Sequence, residues 1–456
     1  MKQNDDAQNK SNNQDEVKQE PQIIFDVKIS FSISDFKGEN LTKGEAQLKL
    51  DEEKILILPK FKQPILIPLL DITGIEENDY KLILSLTSNE ILTIFDLGYK
   101  YNDFARVLSR IYNETLLKRL LMQETLKKTG IAAEFIYYDN AGNEKYRGRC
   151  EPRLYETGLI LLPEKGDLKR IPYSDISDIS DEDYKITINF DSGEKLILSQ
   201  MGRDFESFVK TLSDTMNELA LKVQDSMKEL IPKANPLVLR KLAQFMKEGK
   251  AATRADIESI SKDLWVELEK KIATAGIKDE YDFLKSMAQQ QKMCIGLKRG
   301  LLGDLTGEYL WFLIPVYDVV SKDYGNAIAM EAITGEEGGK ATYFFRIVSR
   351  KEYRNFKNID DLHKKVDEFI KKINRCMLAI NFRREPIYLP DERLQEPQYQ
   401  KYLYAIAKIS ELKELRELFI GRVIHSSFEK WKSDVIDLLK FNITETEDNL
   451  KWKRMK

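Results

Sequence analysis

Residues 27 to 114 overlay residues 131 to 218 at a constant offset of 104, without one gap. The first copy reads Leu58-Pro59, Ile67-Pro68, Asp71-Ile72, Asp79-Tyr80-Lys81, Ser88, Glu90, Gly98, Phe104, Leu108 and Asn113-Glu114. The second reads Leu162-Pro163, Ile171-Pro172, Asp175-Ile176, Asp183-Tyr184-Lys185, Ser192, Glu194, Gly202, Phe208, Leu212 and Asn217-Glu218. About 25 of 88 aligned positions are identical, far above chance for one chain laid on itself. A chain duplicated in this way must fold into something that works as a unit of about 100 residues and tolerates a second copy directly after it.

Each copy opens with a period-2 apolar pattern, Val27, Ile29, Phe31, Ile33 and then Ile131, Ala133, Phe135, Tyr137, which predicts a strand with one buried face. Turn chemistry follows at Asp35 to Gly38 and at Asp139 to Gly142. Further short strands are predicted at 46–50, 54–58, 65–68, 82–86 and 91–95, with counterparts 104 residues on. Turn signals separate them every 8 to 12 residues, the spacing of a small barrel or sandwich. Each unit closes with a helix, Phe104, Val107, Leu108, Ile111 in one copy and Phe205, Phe208, Leu212, Met216 in the other.

This order of elements, with the Ile-Pro-x-x-Asp-Ile step at 67–72 and 171–176, resembles the pleckstrin-homology (PH) superfamily in its bacterial and archaeal form. The resemblance implies a bent antiparallel barrel plugged at one end by its last helix, a surface that binds partners, and no inherited reaction. It covers residues 23 to 229, as repeat 1 (23–125) and repeat 2 (126–229). Residues 1 to 22 are polar and predict a disordered tail. After Ile231-Pro232 the pattern turns helical, and residues 230–292 are expected to form a helical connector. From Cys294 strands are predicted again, then a helix over 359–380 and two more at 398–420 and 428–439. Residues 293–456 therefore read as a third α+β domain, with strands-then-helix order that allows a diverged third PH-like unit. The fold class is α+β: two PH-like barrels, a connector and this last domain.

The chain holds two histidines, His363 and His425, and three scattered cysteines without a CxxC pair. Triads and His/Cys metal sites lack raw material, so no catalytic residue, metal or cofactor is expected. The glycine cluster at 335–339 has three residues between its outer glycines where a P-loop needs four, and Ala341 where Ser or Thr must hold magnesium. It is read as a hairpin. Gly296 to Gly307 precedes a strand and is read as a loop, with Lys298 and Arg299 as a secondary candidate anion site.

The main candidate site lies where the copies differ. Repeat 2 carries Lys145, Arg147 and Arg149 at i, i+2 and i+4, with Arg153 farther along, against Leu41, Lys43, Glu45 and Lys49 in repeat 1. In lipid-binding PH domains basic residues of the first strands hold inositol phosphates, and the arginine fork suits phosphate. The net charge is -3 overall, but the two repeats sum to about -3 and -5, the tail to about -2 and residues 230–456 to about +7. The primary expectation is a cytoplasmic adaptor or scaffold that binds a protein partner. The second is peripheral membrane or phosphate-ligand binding through the stripe and the basic C-terminal region, with acidic lipid as partner. The third, implied by the resemblance to double-PH chaperones, is an acidic tandem that engages a basic or DNA-associated partner. Nucleic acid itself is not an expected ligand, and no apolar run is long enough to span a bilayer.

Overall fold

The protein is described by a computed structural model over residues 22–35, 37–119, 124–299, 309–320, 325–334, 341–396 and 398–444. Residues 1–21 of the tail expected at 1–22, the glycine cluster at 335–339 and the loop beyond residue 299 lie outside the described residues. The chain divides into two compact units, Met1–Ile72 with Glu77–Phe104 and Thr73–Glu76 with Ala105–Lys456.

The first half-barrel runs β1 (Phe25–Ser34), β2 (Asn40–Leu50), β3 (Lys54–Pro59), β4 (Ile65–Pro68), β5 (Ile72–Asn78), β6 (Lys81–Leu86), β7 (Ile91–Phe95), then helix α1 (Tyr101–Arg119). The second adds a short β8 (Leu126–Lys128) and repeats the order as β9 (Ala133–Tyr138), β10 (Glu144–Tyr155), β11 (Gly158–Pro163), β12 (Lys169–Pro172), β13 (Ile176–Glu182), β14 (Lys185–Phe190), β15 (Lys195–Ser199) and α2 (Phe205–Leu230). Both sheets are antiparallel and have the same order, β4-β3-β2-β1-β7-β6-β5 and β12-β11-β10-β9-β15-β14-β13.

The shared residues explain the shared path. Pro68 and Pro172 end a strand and lead into single 3-10 turns at Leu69–Asp71 and Tyr173–Asp175. Asp79-Tyr80 and Asp183-Tyr184 hold φ of 47° and 56°, and 50° and 55°, the left-handed pair that a two-residue hairpin needs to match strand twist. The tyrosine of each turn meets the first residue of the closing helix edge-on, Tyr80 on Tyr101 at 5.5 Å and Tyr184 on Phe205 at 5.4 Å.

The C-terminal part is built on a third sheet. Its strands are β16 (Ala251–Thr253), β17 (Cys294–Lys298), β18 (Tyr309–Val316), β19 (Ala327–Thr334), β20 (Ala341–Arg346) and β21 (Phe419–Ile424), a six-stranded sheet in sequential order. Its helices are α3 (Pro236–Phe245), α4 (Arg254–Ile260), α5 (Lys262–Thr274), α6 (Lys278–Met287), α7 (Arg350–Asn355), α8 (Ile359–Ala379), α9 (Glu385–Tyr388), α10 (Asp391–Leu394), α11 (Gln400–Lys408), α12 (Ser410–Leu418) and α13 (Phe428–Ile443). Along β18, Phe312 and Ile314 enter a core shared with α3 to α6 and α13, while Trp311 and Leu313 enter a second core shared with α8 and α12. A continuous apolar run is what a strand covered on both faces requires. The domain is thus a sheet between two helical layers, where each half-barrel is followed by a single helix. Residues 230–292 are mainly helical, as expected; within them β16 is an edge strand of this sheet, and α3 to α6 form one of its helical layers.

Candidate functional site

The second half-barrel and the C-terminal domain meet along a cleft of about 690 Å³ lined by Asp175, Asp191, Lys247, Lys250, Asn374 and Arg375, among others. The 3-10 turn that follows Pro172 sets Asp175 at its rim, and the β14–β15 turn sets Asp191 and Glu194. The C-terminal two turns of α8 supply Asn374, Arg375 and Leu378. Arg375 lies 3.4 Å from Asp175, 3.6 Å from Glu194 and 3.3 Å from Glu411. From the barrel side Arg170 donates to the carbonyls of Leu378 at 2.9 Å and Ala379 at 3.4 Å, where a helix end leaves acceptors open. It also pairs with buried Glu124. Lys250 pairs with Asp191, and Lys247 donates to the carbonyl of Ile176 at 2.7 Å.

Burial and pairing compete at this junction. Burial raises the Asp175 carboxyl above its ordinary value, with Arg375 opposing it. Burial also works against the Arg375 charge, but Asp175, Glu411 and Glu194 outweigh it and raise its pKa. Lys169 sits with Nζ 3.1 Å from the centre of the Tyr137 ring, and burial pulls its pKa down to about 8. Tyr137 is pushed far up, by burial and then by Glu194. No local pattern marks Lys169: its one signal in the sequence is that Ile65 stands at the matching position of repeat 1.

Arg375→Ala is expected to cost about 1–3 kcal/mol, since it leaves Asp175 in a partly dry site without its cation. Urea unfolding measures that loss. Hydrogen exchange should also quicken at the barrel–domain junction first, and unchanged protection there would count against the pairing.

The predicted stripe on β10 is less available than its spacing implied. The strand register slips between Glu144 and Tyr146, so Lys145 falls out of the alternation and lies 3.3 Å from Asp139. Arg147 is exposed but held by both oxygens of Glu144 at 3.0 and 2.8 Å. Arg153 is only 14% exposed and bonded to Glu114 and Glu151. Arg149 alone of the four is exposed without an ion pair among the described residues. Of the secondary candidates Lys298 and Arg299, Lys298 is 3% exposed and donates to buried Glu248 at 2.9 Å. The Arg299 N–H shares that carboxylate at 3.1 Å, and its guanidinium donates to the Lys222 carbonyl.

The two histidines are separate. His363 Nδ1 lies 2.5 Å from the Tyr317 hydroxyl. His425 Nε2 lies 2.9 Å from Glu331, and its Nδ1 3.6 Å from Glu280. Burial lowers the His425 pKa, but Glu331 and Glu280 outweigh it and raise it above 6.5. A raised folded value adds stability that is complete below about 6.5 and is lost as pH rises through the folded pKa. The melting temperature should therefore fall over that window, and His425→Gln should remove that part of the slope. The three cysteines are buried, with Cys150 pushed up to about 12 by burial and then Glu151, and Cys294 and Cys376 higher still. Among the described residues no group of three His, Cys, Asp or Glu could hold a metal, and no helix is long and apolar enough to cross a membrane.

No family model and no curated protein matches the chain. Solved structures do match in part. One, titled "Structure of the Spt16D Pob3N heterodimer", aligns with 37% of this chain and 85% of its own at 12% identity and a TM-score of 0.16, too slight a likeness to argue from.

Proposed function

We propose that the protein is a non-catalytic adaptor whose tandem PH-like domains bind a protein partner. The observation that supports this reading is the junction itself: the second half-barrel packs on the C-terminal two turns of α8 through Asp175, Glu194 and Arg170. A module that seats a helix of its own chain has the surface chemistry to seat another. The enzyme reading has less support, because Lys250 and Arg375 in the large cleft face carboxylates and Lys247 a carbonyl, which neutralises groups that a reaction would need free.

The test uses full-length protein on a resin. One protein should be retained from native lysate at near-stoichiometric amount and should bind again when purified separately. Turnover of nucleotides, phosphoesters or peptides by the same preparation would replace this reading with an enzyme.

The adaptor and membrane readings part at a lipid surface. Since Arg147 is already held by Glu144 and Arg153 by Glu114, liposomes rich in acidic lipid should retain little protein at low salt, and Arg147→Glu with Arg149→Glu should change little. Salt-sensitive retention that the double variant abolishes would favour lipid instead.

A further inference from the structure

The seat for α8 has a counterpart in the first half-barrel. Asp71 and Glu90 stand 104 residues before Asp175 and Glu194, and the same bonds place them. Thr87 N–H donates to the Asp71 carbonyl at 2.8 Å, as Asp191 N–H does to that of Asp175 at 3.0 Å. Ser88 Oγ donates to Glu90 at 2.9 Å, as Ser192 does to Glu194 at 2.8 Å. In the second copy Arg375 lies beside both carboxylates. In the first, Asp71 has no cationic partner among the described residues.

The surroundings of the pair have changed in one direction. Lys169, Arg170 and Ser174 are replaced by Ile65, Leu66 and Leu70. Leu66 is 54% exposed, and Ile65 and Leu70 are half-buried. Arginine that caps a helix end has given way to leucine, so this face suits the side of a helix and not its carbonyl terminus. Two carboxylates disfavour lipid headgroups and nucleic acid, and favour a cation.

We propose that Asp71, Glu90, Ile65, Leu66 and Leu70 form a docking face for an amphipathic helix of a protein partner, one that presents an arginine among apolar side chains. This deepens the adaptor reading and rests on it. A second copy of the chain is disfavoured as occupant because the helix of this kind that it owns, α8, is seated on its own second half-barrel.

The probe is a fluorescent peptide of residues 359–380, which reproduces α8 with Arg375, added to the full-length protein, whose second seat is already filled. Anisotropy should show saturable binding, at least tenfold weaker for Asp71→Lys with Glu90→Lys, for Leu66→Asp, and for a peptide carrying Arg375→Glu. The milder Asp71→Asn with Glu90→Gln pair guards against misfolding and should also weaken binding. Absence of saturable binding, or equal binding to these variants when circular dichroism shows them folded, overturns the face. Self-association that the double variant abolishes overturns the partner helix in favour of a second copy. A lysate partner held equally by parent and double variant leaves the adaptor reading standing and refutes this surface.

Discussion

Lys298→Met is expected to destabilise the protein by about 3–5 kcal/mol, read as a lower urea midpoint at unchanged slope. Glu248 and Lys298 are 4% and 3% exposed and 2.9 Å apart. Removing the ammonium leaves a carboxylate in the interior with one backbone donor, Arg299 N–H. Burial already raises the Glu248 pKa, with Lys298 opposing it. Without the lysine, the raised folded value costs stability as pH climbs above the ordinary carboxylate value, so the deficit should shrink toward acid. Adding Glu248→Gln should recover most of the loss, because the amide oxygen still accepts from Arg299 and carries no charge. A single variant within about 1 kcal/mol of the parent would mean that water reaches the pair.

Gly296→Ala should cost about 3 kcal/mol, the upper end for overpacking. Gly296 pairs with Trp311 on one side and Ala251 on the other. A Cβ there would stand 2.3 Å from Trp311 Nε1 and 2.9 Å from the Ala251 backbone. The indole is 1% exposed and packs edge-on against Phe382 at 5.2 Å, so it has little room to move. Trp311→Phe in the same chain should relieve part of the clash, and the double variant should lose less than the two single losses added. The Ala251 contact would remain. Thermal unfolding of the four proteins closes the cycle, and strict additivity would show that the indole is not the obstacle.

Both variants lie in a stretch that reads differently from sequence and from structure. Gly296, Lys298 and Arg299 look like parts of a glycine-rich loop with an anion option, because neighbouring glycines and adjacent cations are the signals of such loops. In the fold Gly296 and Lys298 belong to β17. The glycine makes room for a tryptophan and the lysine neutralises an acid that lies 50 residues earlier in the chain. No local pattern encodes either neighbour.

What the sequence determined by itself is the duplication and its consequences. Period-2 strands, Ile-Pro steps, Asp-Tyr turns and closing helices all act within a few residues of themselves. Both copies therefore have the predicted order of elements and the same sheet topology. What only the tertiary structure decided is which surfaces are used. The same acidic pair, Asp71 with Glu90 and Asp175 with Glu194, has no ion pair among the described residues in one copy and holds Arg375 in the other. The helices of 230–292 look like a connector because their apolar stripes do not say what they cover, and only the third sheet supplies that surface. The cationic residues of β10 follow the same rule: spacing places Arg147 and Arg153 on a strand, but carboxylates brought near by the register slip after Glu144 and by α1 decide how much of their charge faces solvent. Burial and charge pairing depend on distance in space, and a sequence records distance only along the chain.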